Sequence, residues 1–183
     1  MIEHHHILKL VSEGNQISFR QLYDHYNRLV YNTAMSFVTD VSSAEEITQD
    51  VFTKIYRKAG SFSGNSTVKT WIYRITVNTA LNHIKKNNRV RFLNHDNSRE
   101  IEFNHPGILL ENKENAIILQ RAISSLPESQ RTAFVLSYIE DLPRLEVANI
   151  MGVSLKATES LLQRAKGNLR GKLNKLYPHR RKK

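Results

Sequence analysis

The tightest constraint on this chain is the punctuation Pro143 … Gly152-Val153-Ser154, which makes two helices meet across a turn of almost no length. Pro143 suits the opening of a helix, because its missing N–H would be an unpaired donor there anyway. Val147, Ala148, Ile150 and Met151 then supply a buried side. Gly152 suits a left-handed C-terminal cap, and Ser154 offers its side chain as an acceptor to the first turn of the next helix. With only Val153 between these signals, the second helix must leave at a steep angle. Across Ser154 to Leu176, the positions Ala157, Leu161, Leu162, Ala165, Leu169, Leu173 and Leu176 recur at spacings of three and four, a leucine stripe for the core. Lys156, Glu159, Ser160, Gln163, Lys166 and Arg170 are left facing out. Such groups can reach base edges and phosphates from a helix lying in the major groove. Any small helical pair with a solvated charged face gives the same pattern, so the rest of the chain must separate the two readings.

Charge favours the nucleic-acid reading. The 183 residues hold 27 Lys and Arg against 17 Asp and Glu, and from Arg164 onward there are nine basic side chains and no acidic one. A chain so biased has a polyanion as its natural partner, and the tail Arg180, Arg181, Lys182, Lys183 either adds salt-sensitive attraction to phosphates or solvates the terminus. Without cysteine there is neither a disulfide framework nor a thiolate metal site. No apolar run approaches the ~18 residues of a membrane span, and no signal peptide is evident, which leads to the expectation of a soluble cytoplasmic protein.

Helical periodicity extends over most of the remainder. Phe19, Leu22, Tyr23, Tyr26, Leu29, Val30 and Met35 predict a helix from Ile17 to Val38. Ser42 with Glu45 reads as a capping box, opening a helix whose apolar side is Ala44, Ile47, Val51, Ile55 and Ala59. Its opposite side carries Glu46, Gln49, Asp50 and Thr53, either a solvated face or a polar docking surface. A Ser- and Gly-rich loop over Gly60 to Thr67 holds Phe62 at its centre. A helix from Val68 to about Lys86 follows, with Trp71, Ile72, Ile75, Val77, Ala80, Leu81 and Ile84 for packing. Lys69, Tyr73, Arg74, Thr76, Asn78, Asn82, Lys85 and Lys86 are expected to meet solvent or nucleic acid. Rings and amides beside cations suit single-stranded DNA, though Trp71 alone is as well placed for a core. Asn87 to about Glu111 loses periodicity and turns acidic, the texture of a flexible linker. Periodicity resumes at Ile117, and Pro127 restarts it for Phe134, Val135 and Ile139. The expected architecture is all-α: two small helical domains over 1–87 and 113–178, a linker over 88–112 and a basic tail over 179–183.

Two blocks of residues carry a resemblance. Ala44-Glu45-Glu46-Ile47-Thr48-Gln49-Asp50-Val51-Phe52, with Thr70-Trp71-Ile72-Tyr73-Arg74-Ile75 and Asn78, resembles region 2 of the bacterial sigma-70 family in its extracytoplasmic-function branch. Leu126-Pro127-Glu128-Ser129-Gln130-Arg131 through Ser160-Leu161-Leu162-Gln163-Arg164-Ala165-Lys166 resembles region 4 of the same family. The resemblance implies a transcription initiation factor that binds core RNA polymerase, recognises the −10 and −35 promoter elements and helps to open the duplex. It implies that Glu46, Gln49, Asp50 and Thr53 dock on the coiled coil of the largest polymerase subunit. Ser61, Phe62, Ser63, Asn65, Trp71, Arg74 and Asn78 would then hold the melted −10 strand. Lys156, Thr158, Glu159, Ser160, Gln163 and Arg164 would read the −35 element. The flap of the second-largest subunit and an anti-sigma factor are further implied partners, and the acidic linker would thread polymerase channels. The chain differs from the usual pattern at Pro143, Glu159 and Leu161. Readout at −35 accordingly leans on Lys156 and on Glu159 accepting from a cytosine amine.

Two other classes compete. A helix-turn-helix regulator acting without polymerase accounts for the C-terminal third but leaves the Trp71 helix and the polar stripe without a job. An enzyme would need a site. His4, His5 and His6 sit at a chain end with no carboxylate at helical spacing, and are expected to form a disordered or tag-like terminus rather than a metal centre. Gly60 and Gly64 lack the lysine that completes a phosphate-cradling loop. The chain therefore reads as non-catalytic, with neither metal nor cofactor.

Overall fold

The structure is a computed structural model that describes residues 2–94 and 113–176. Contacts divide the chain into two compact units, Met1–Arg99 and Glu100–Lys183. Among the described residues all regular structure is helical, in agreement with the all-α expectation.

The first unit contains α1 (Ile2–Ser12), α2 (Gln16–Phe37), α3 (Val41–Lys58), a 3-10 turn at Ala59–Ser61 and α4 (Val68–Asn94). Helix α2 packs against α1, α3 and α4, and α3 packs against α4. Leu8, Val11, Leu22, Val30, Phe37, Ile47, Val51, Ile55 and Ile72 are buried where they meet. Three local expectations are corrected. The cap of α3 is Asp40, whose carboxylate accepts from the Ser43 N–H at 2.8 Å, while Ser42 is exposed in the first turn. A carboxylate at this end also meets the positive pole of the helix, so Asp40 outcompetes a hydroxyl two residues later. Helix α4 does not stop near Lys86 but runs to Asn94, taking in the first residues read as linker. No Pro or Gly interrupts Asn87 to Asn94, and polar residues alone do not end a helix already nucleated. Finally, Tyr73 and Thr76 are buried rather than outward. The Thr76 hydroxyl donates to the Ile72 carbonyl at 2.9 Å, and the Thr79 hydroxyl donates to Ile75 at 2.7 Å. Each threonine thus satisfies its polar atom within its own helix and turns its methyl to the core.

The second unit contains α5 (Lys113–Ser124), α6 (Glu128–Phe134), a π-turn at Val135–Ile139, α7 (Arg144–Met151) and α8 (Leu155–Leu176). Helix α8 packs against α5, α6 and α7. Its Leu162, Ala165 and Leu169 are buried, together with Ile123, Val135, Leu136, Val147 and Ala148 from the other elements. The α7–α8 turn follows the expected chemistry within one residue. Pro143 sits at the N-cap, and Gly152 is left-handed at φ 67°. The Val153 N–H donates to the Ala148 carbonyl at 3.1 Å, and Ser154 Oγ accepts from the Ala157 N–H at 3.1 Å. The far end of α8 is tied down as well: the Lys172 ammonium donates to the Ser125 carbonyl at 3.1 Å, and the Asn168 amide donates to Gln130 Oε1 at 2.7 Å. Arg131 of α6 is buried, which pulls its guanidinium down to about 10. The expected linker beyond Asn94 and the tail 179–183 lie outside the described residues.

Candidate functional site

The residues singled out from sequence fall on three surfaces. On α3, Glu46, Gln49, Asp50 and Thr53 are all exposed along one side of the helix. They are not equivalent. Glu46 Oε1 lies 3.7 Å from Nδ1 of His83, a nearly buried ring whose Nε2 is 2.8 Å from the Asn87 side-chain amide. Glu46 is thereby drawn toward α4. The Thr53 hydroxyl donates to the Gln49 carbonyl at 2.9 Å, which leaves Gln49 and Asp50 as the outward polar groups.

Beside this stripe lies an open groove of about 990 Å³ between α2 and α3, whose rim includes Gln49 and Thr53. Its walls are aromatic: Phe19 and Tyr56 centroids are 5.3 Å apart, and Tyr23 and Phe52 4.6 Å. Tyr23 and Tyr56 are 38% and 45% exposed, so large rings face solvent next to the polar row. Exposed aromatic clusters with a polar edge are the make-up of protein-docking hot spots. In the sequence Phe19 and Tyr23 mark only helical spacing, and Phe52 and Tyr56 carry no role of their own. The signal was available, because Phe19/Tyr23 and Phe52/Tyr56 are both i, i+4 pairs, the spacing that puts rings on one face.

The second surface joins the Ser61–Thr67 loop to α4. Trp71 and Arg74 are half-buried and Asn78 is exposed, at the i, i+3, i+7 spacing of one face. Asn82, Lys85 and Arg89 continue that row toward the C-terminal end of α4, and Arg89 joins it only because the helix extends past Lys86. Phe62 packs on Trp71 with ring centroids 5.4 Å apart. Ser61, Ser63 and Asn65 are exposed around it. The loop is pinned at both ends: the Ser61 hydroxyl donates to the Lys58 carbonyl at 2.7 Å, and Thr67 Oγ1 accepts from the Thr70 N–H at 3.0 Å. A half-exposed indole, an amide and a row of cations offer flat surfaces for unstacked bases and charge for their phosphates.

The third surface is the outer face of α8. Lys156, Glu159, Ser160, Gln163 and Arg164 are exposed, and the first four share one face at i, i+3, i+4, i+7. Thr158 must be removed from this set. It is 0% exposed, and its hydroxyl donates to the Ser154 carbonyl at 3.2 Å, so it secures the turn and cannot touch a base. Glu159 Oε1 lies 3.6 Å from an Arg144 guanidinium nitrogen, an ion pair across the turn. Lys166 Nζ stands 4.6 Å from the centroid of Tyr138. The His4–His6 run is helical, within α1, contrary to the expected disordered terminus. Its His5 ring lies 5.2 Å from that of Phe62.

Comparison with known proteins bears on both units. The family description Sigma-70 region 2 matches residues 22–90, and Sigma-70, region 4 matches residues 116–169. The RNA polymerase sigma-H factor of Pseudomonas aeruginosa is 29% identical over 170 residues, covering 87% of this chain and 88% of that one. The ECF RNA polymerase sigma factor SigW of Bacillus subtilis is 27% identical, covering 92% and 96%. The ECF RNA polymerase sigma-E factor of Escherichia coli is 29% identical, covering 93% and 94%. Among solved structures, the sigma factor RpoE of Bartonella quintana, in complex with the anti-sigma factor NepR, aligns with a TM-score of 0.68 at 22% identity, over 85% of this chain and 96% of that one. CnrH, in complex with the cytosolic domain of CnrY, aligns with a TM-score of 0.67 at 20% identity, over 93% and 96%. At these identities the structural likeness speaks for the fold.

Proposed function

The chain belongs to the sigma-70 family, in its extracytoplasmic-function branch, and from that premise we propose that it directs promoter-specific initiation through the three surfaces above. The α3 row, with Gln49 and Asp50 foremost, docks on the coiled coil of the largest subunit of core RNA polymerase, and the adjoining aromatic groove receives apolar side chains of the same partner. The Ser61–Thr67 loop with Trp71, Arg74 and Asn78 holds the unpaired −10 strand. Extruding a base from the duplex costs a few kcal/mol, which ring and amide contacts at the loop must offset. The α8 face carrying Lys156, Glu159, Ser160, Gln163 and Arg164 reads the −35 element. The second unit would also meet the flap of the second-largest subunit. An anti-sigma factor that blocked docking would have to cover the α2–α3 groove.

RNA synthesis then belongs to the polymerase, and this chain is non-catalytic. No described helix is long and apolar enough to cross a membrane. Its place of work is the cytoplasm, with the chromosome and the polymerase. One observation supports this reading above the rest: a single chain couples a helix-turn-helix to a separate helical unit that bears both a docking face and a ring-and-amide loop. A regulator acting alone would have no use for the second. Run-off transcription with core polymerase and genomic fragments tests it. New discrete transcripts sharing −10 and −35 motifs are expected. Absence of both transcripts and core binding would leave a plain DNA-binding regulator.

Gln163 provides a finer test at −35. Exposed in the middle of the α8 row, it has the amide geometry for a bidentate contact to adenine. Gln163→Ala is expected to cost about 1 to 3 kcal/mol at the cognate −35 element and far less at a scrambled one. Equal losses on both, measured by competition binding of holoenzyme, would make Gln163 a backbone contact instead.

A further inference from the structure

We propose that the N-terminal helix is part of the −10 surface, with His5 as a positioning residue that sets the loop through Phe62. This rests on the assignment of that loop to the unpaired strand. Phe62 is the loop's sole apolar side chain among Ser61, Ser63, Gly64, Asn65, Ser66 and Thr67, so where its ring is seated decides how the loop stands. That ring meets two others: the Trp71 centroid is 5.4 Å away and the His5 centroid 5.2 Å, each pair tilted by 58°. Both are within the 4.5–7 Å range of favourable ring pairs. The seat of Phe62 is therefore made by α1 as well as by α4.

The backbone of the loop approaches the same helix. A Cβ added at Gly64 would meet His5 Cε1 at 3.1 Å, and one added at Gly60 would meet Ser12 Cβ at 3.4 Å. His5, Leu8 and Ser12 share one face at i, i+3, i+7, so α1 lies along the loop from Gly64 back to Gly60. Leu8 and Val11 are each only 1% exposed, which anchors α1 in the core and lets it act as a fixed wall. Gly64 itself is left-handed at φ 74°, a conformation that brings its Cβ-free backbone against the imidazole. His5 is exposed beyond these contacts, so replacing it leaves the core intact. It touches the loop and not the strand; its effect passes through Phe62 to the rings and amides that do.

The test compares holoenzymes carrying wild-type chain, His5→Ala and His5→Phe on a cognate promoter. Opening is followed by permanganate reactivity of unpaired thymines, and core affinity is measured in parallel. His5→Ala is expected to slow opening by about two- to tenfold, the span that one aromatic pair is worth, with core affinity unchanged. His5→Phe is expected to restore it, because the ring and not the imidazole nitrogens does the seating. Opening at the wild-type rate in His5→Ala, or no recovery in His5→Phe, overturns the proposal. So does a parallel fall in core affinity, which would make α1 a general support of the unit. Trp71→Ala serves as the control for the underlying assignment. If it too opens promoters normally, the loop does not hold the strand and both ideas go; if it slows opening while His5→Ala does not, only the role of α1 is lost.

Discussion

Replacing Leu162 by alanine is expected to destabilise the C-terminal unit by about 2 to 5 kcal/mol, the usual cost of a cavity left by a buried leucine. Leu162 is 3% exposed, in the stripe of α8 that also buries Ala165 and Leu169. Helices α5, α6 and α7 all pack on α8, so no neighbour can close the gap without leaving another contact. Small domains keep only ~5–15 kcal/mol in total, and the loss is therefore a large fraction of what holds the DNA-reading face in shape. The chain provides its own control. Its one tryptophan, Trp71, lies in the N-terminal unit, so tryptophan fluorescence follows that unit while far-UV circular dichroism follows both. In urea, Leu162→Ala should move part of the dichroism transition to lower denaturant and leave the fluorescence transition in place. A fluorescence midpoint that moved equally would show the two units unfolding as one.

Asp50→Lys is expected to weaken binding to core polymerase by about a hundredfold or more, since a like charge set against a complementary patch costs several kcal/mol and each ~1.4 kcal/mol is a factor of ten. Asp50 is exposed on α3, and a surface substitution of this kind usually changes stability by less than ~0.5 kcal/mol. Fold and affinity are thus separable. Higher salt should narrow the gap between variant and wild type, because screening weakens exposed charge pairs. Affinity unchanged at low salt would falsify the docking role of this row and leave the aromatic groove as the remaining candidate.

How far these surfaces could be read from the chain differs by element. The helix-turn-helix was legible almost to the residue, because a proline start, a left-handed glycine and a serine cap are local stereochemistry, and Gly152 and Ser154 make the bonds their types require. The outward rows on α3 and α8 were legible from period alone, as were the buried side of α3 and Leu162, Ala165 and Leu169 of α8. Thr158 was not. A threonine between Ala157 and Glu159 is polar by type, and only its placement under the turn shows the hydroxyl spent on Ser154 and the methyl buried. Tyr73 and Thr76 were misread for the same reason. Asp40 and Ser42 are both good caps, and the entry of the chain into α3 chose between them.

By itself, then, the sequence determined what depends on neighbours along the chain: an all-helical content, the turn between α7 and α8, the apolar side of α3 and the leucine stripe of α8, the basic C-terminal bias and, through two motif blocks, the family. Tertiary structure decided what depends on neighbours in space. It left Tyr23 and Tyr56 unburied beside the polar row of α3, drew Glu46 toward His83, and set α1 against the loop so that a histidine near the chain end meets Phe62. Helical period tells which residues share a face, but whether that face is covered depends on the crossing of another helix, and that crossing is a property of the packed core.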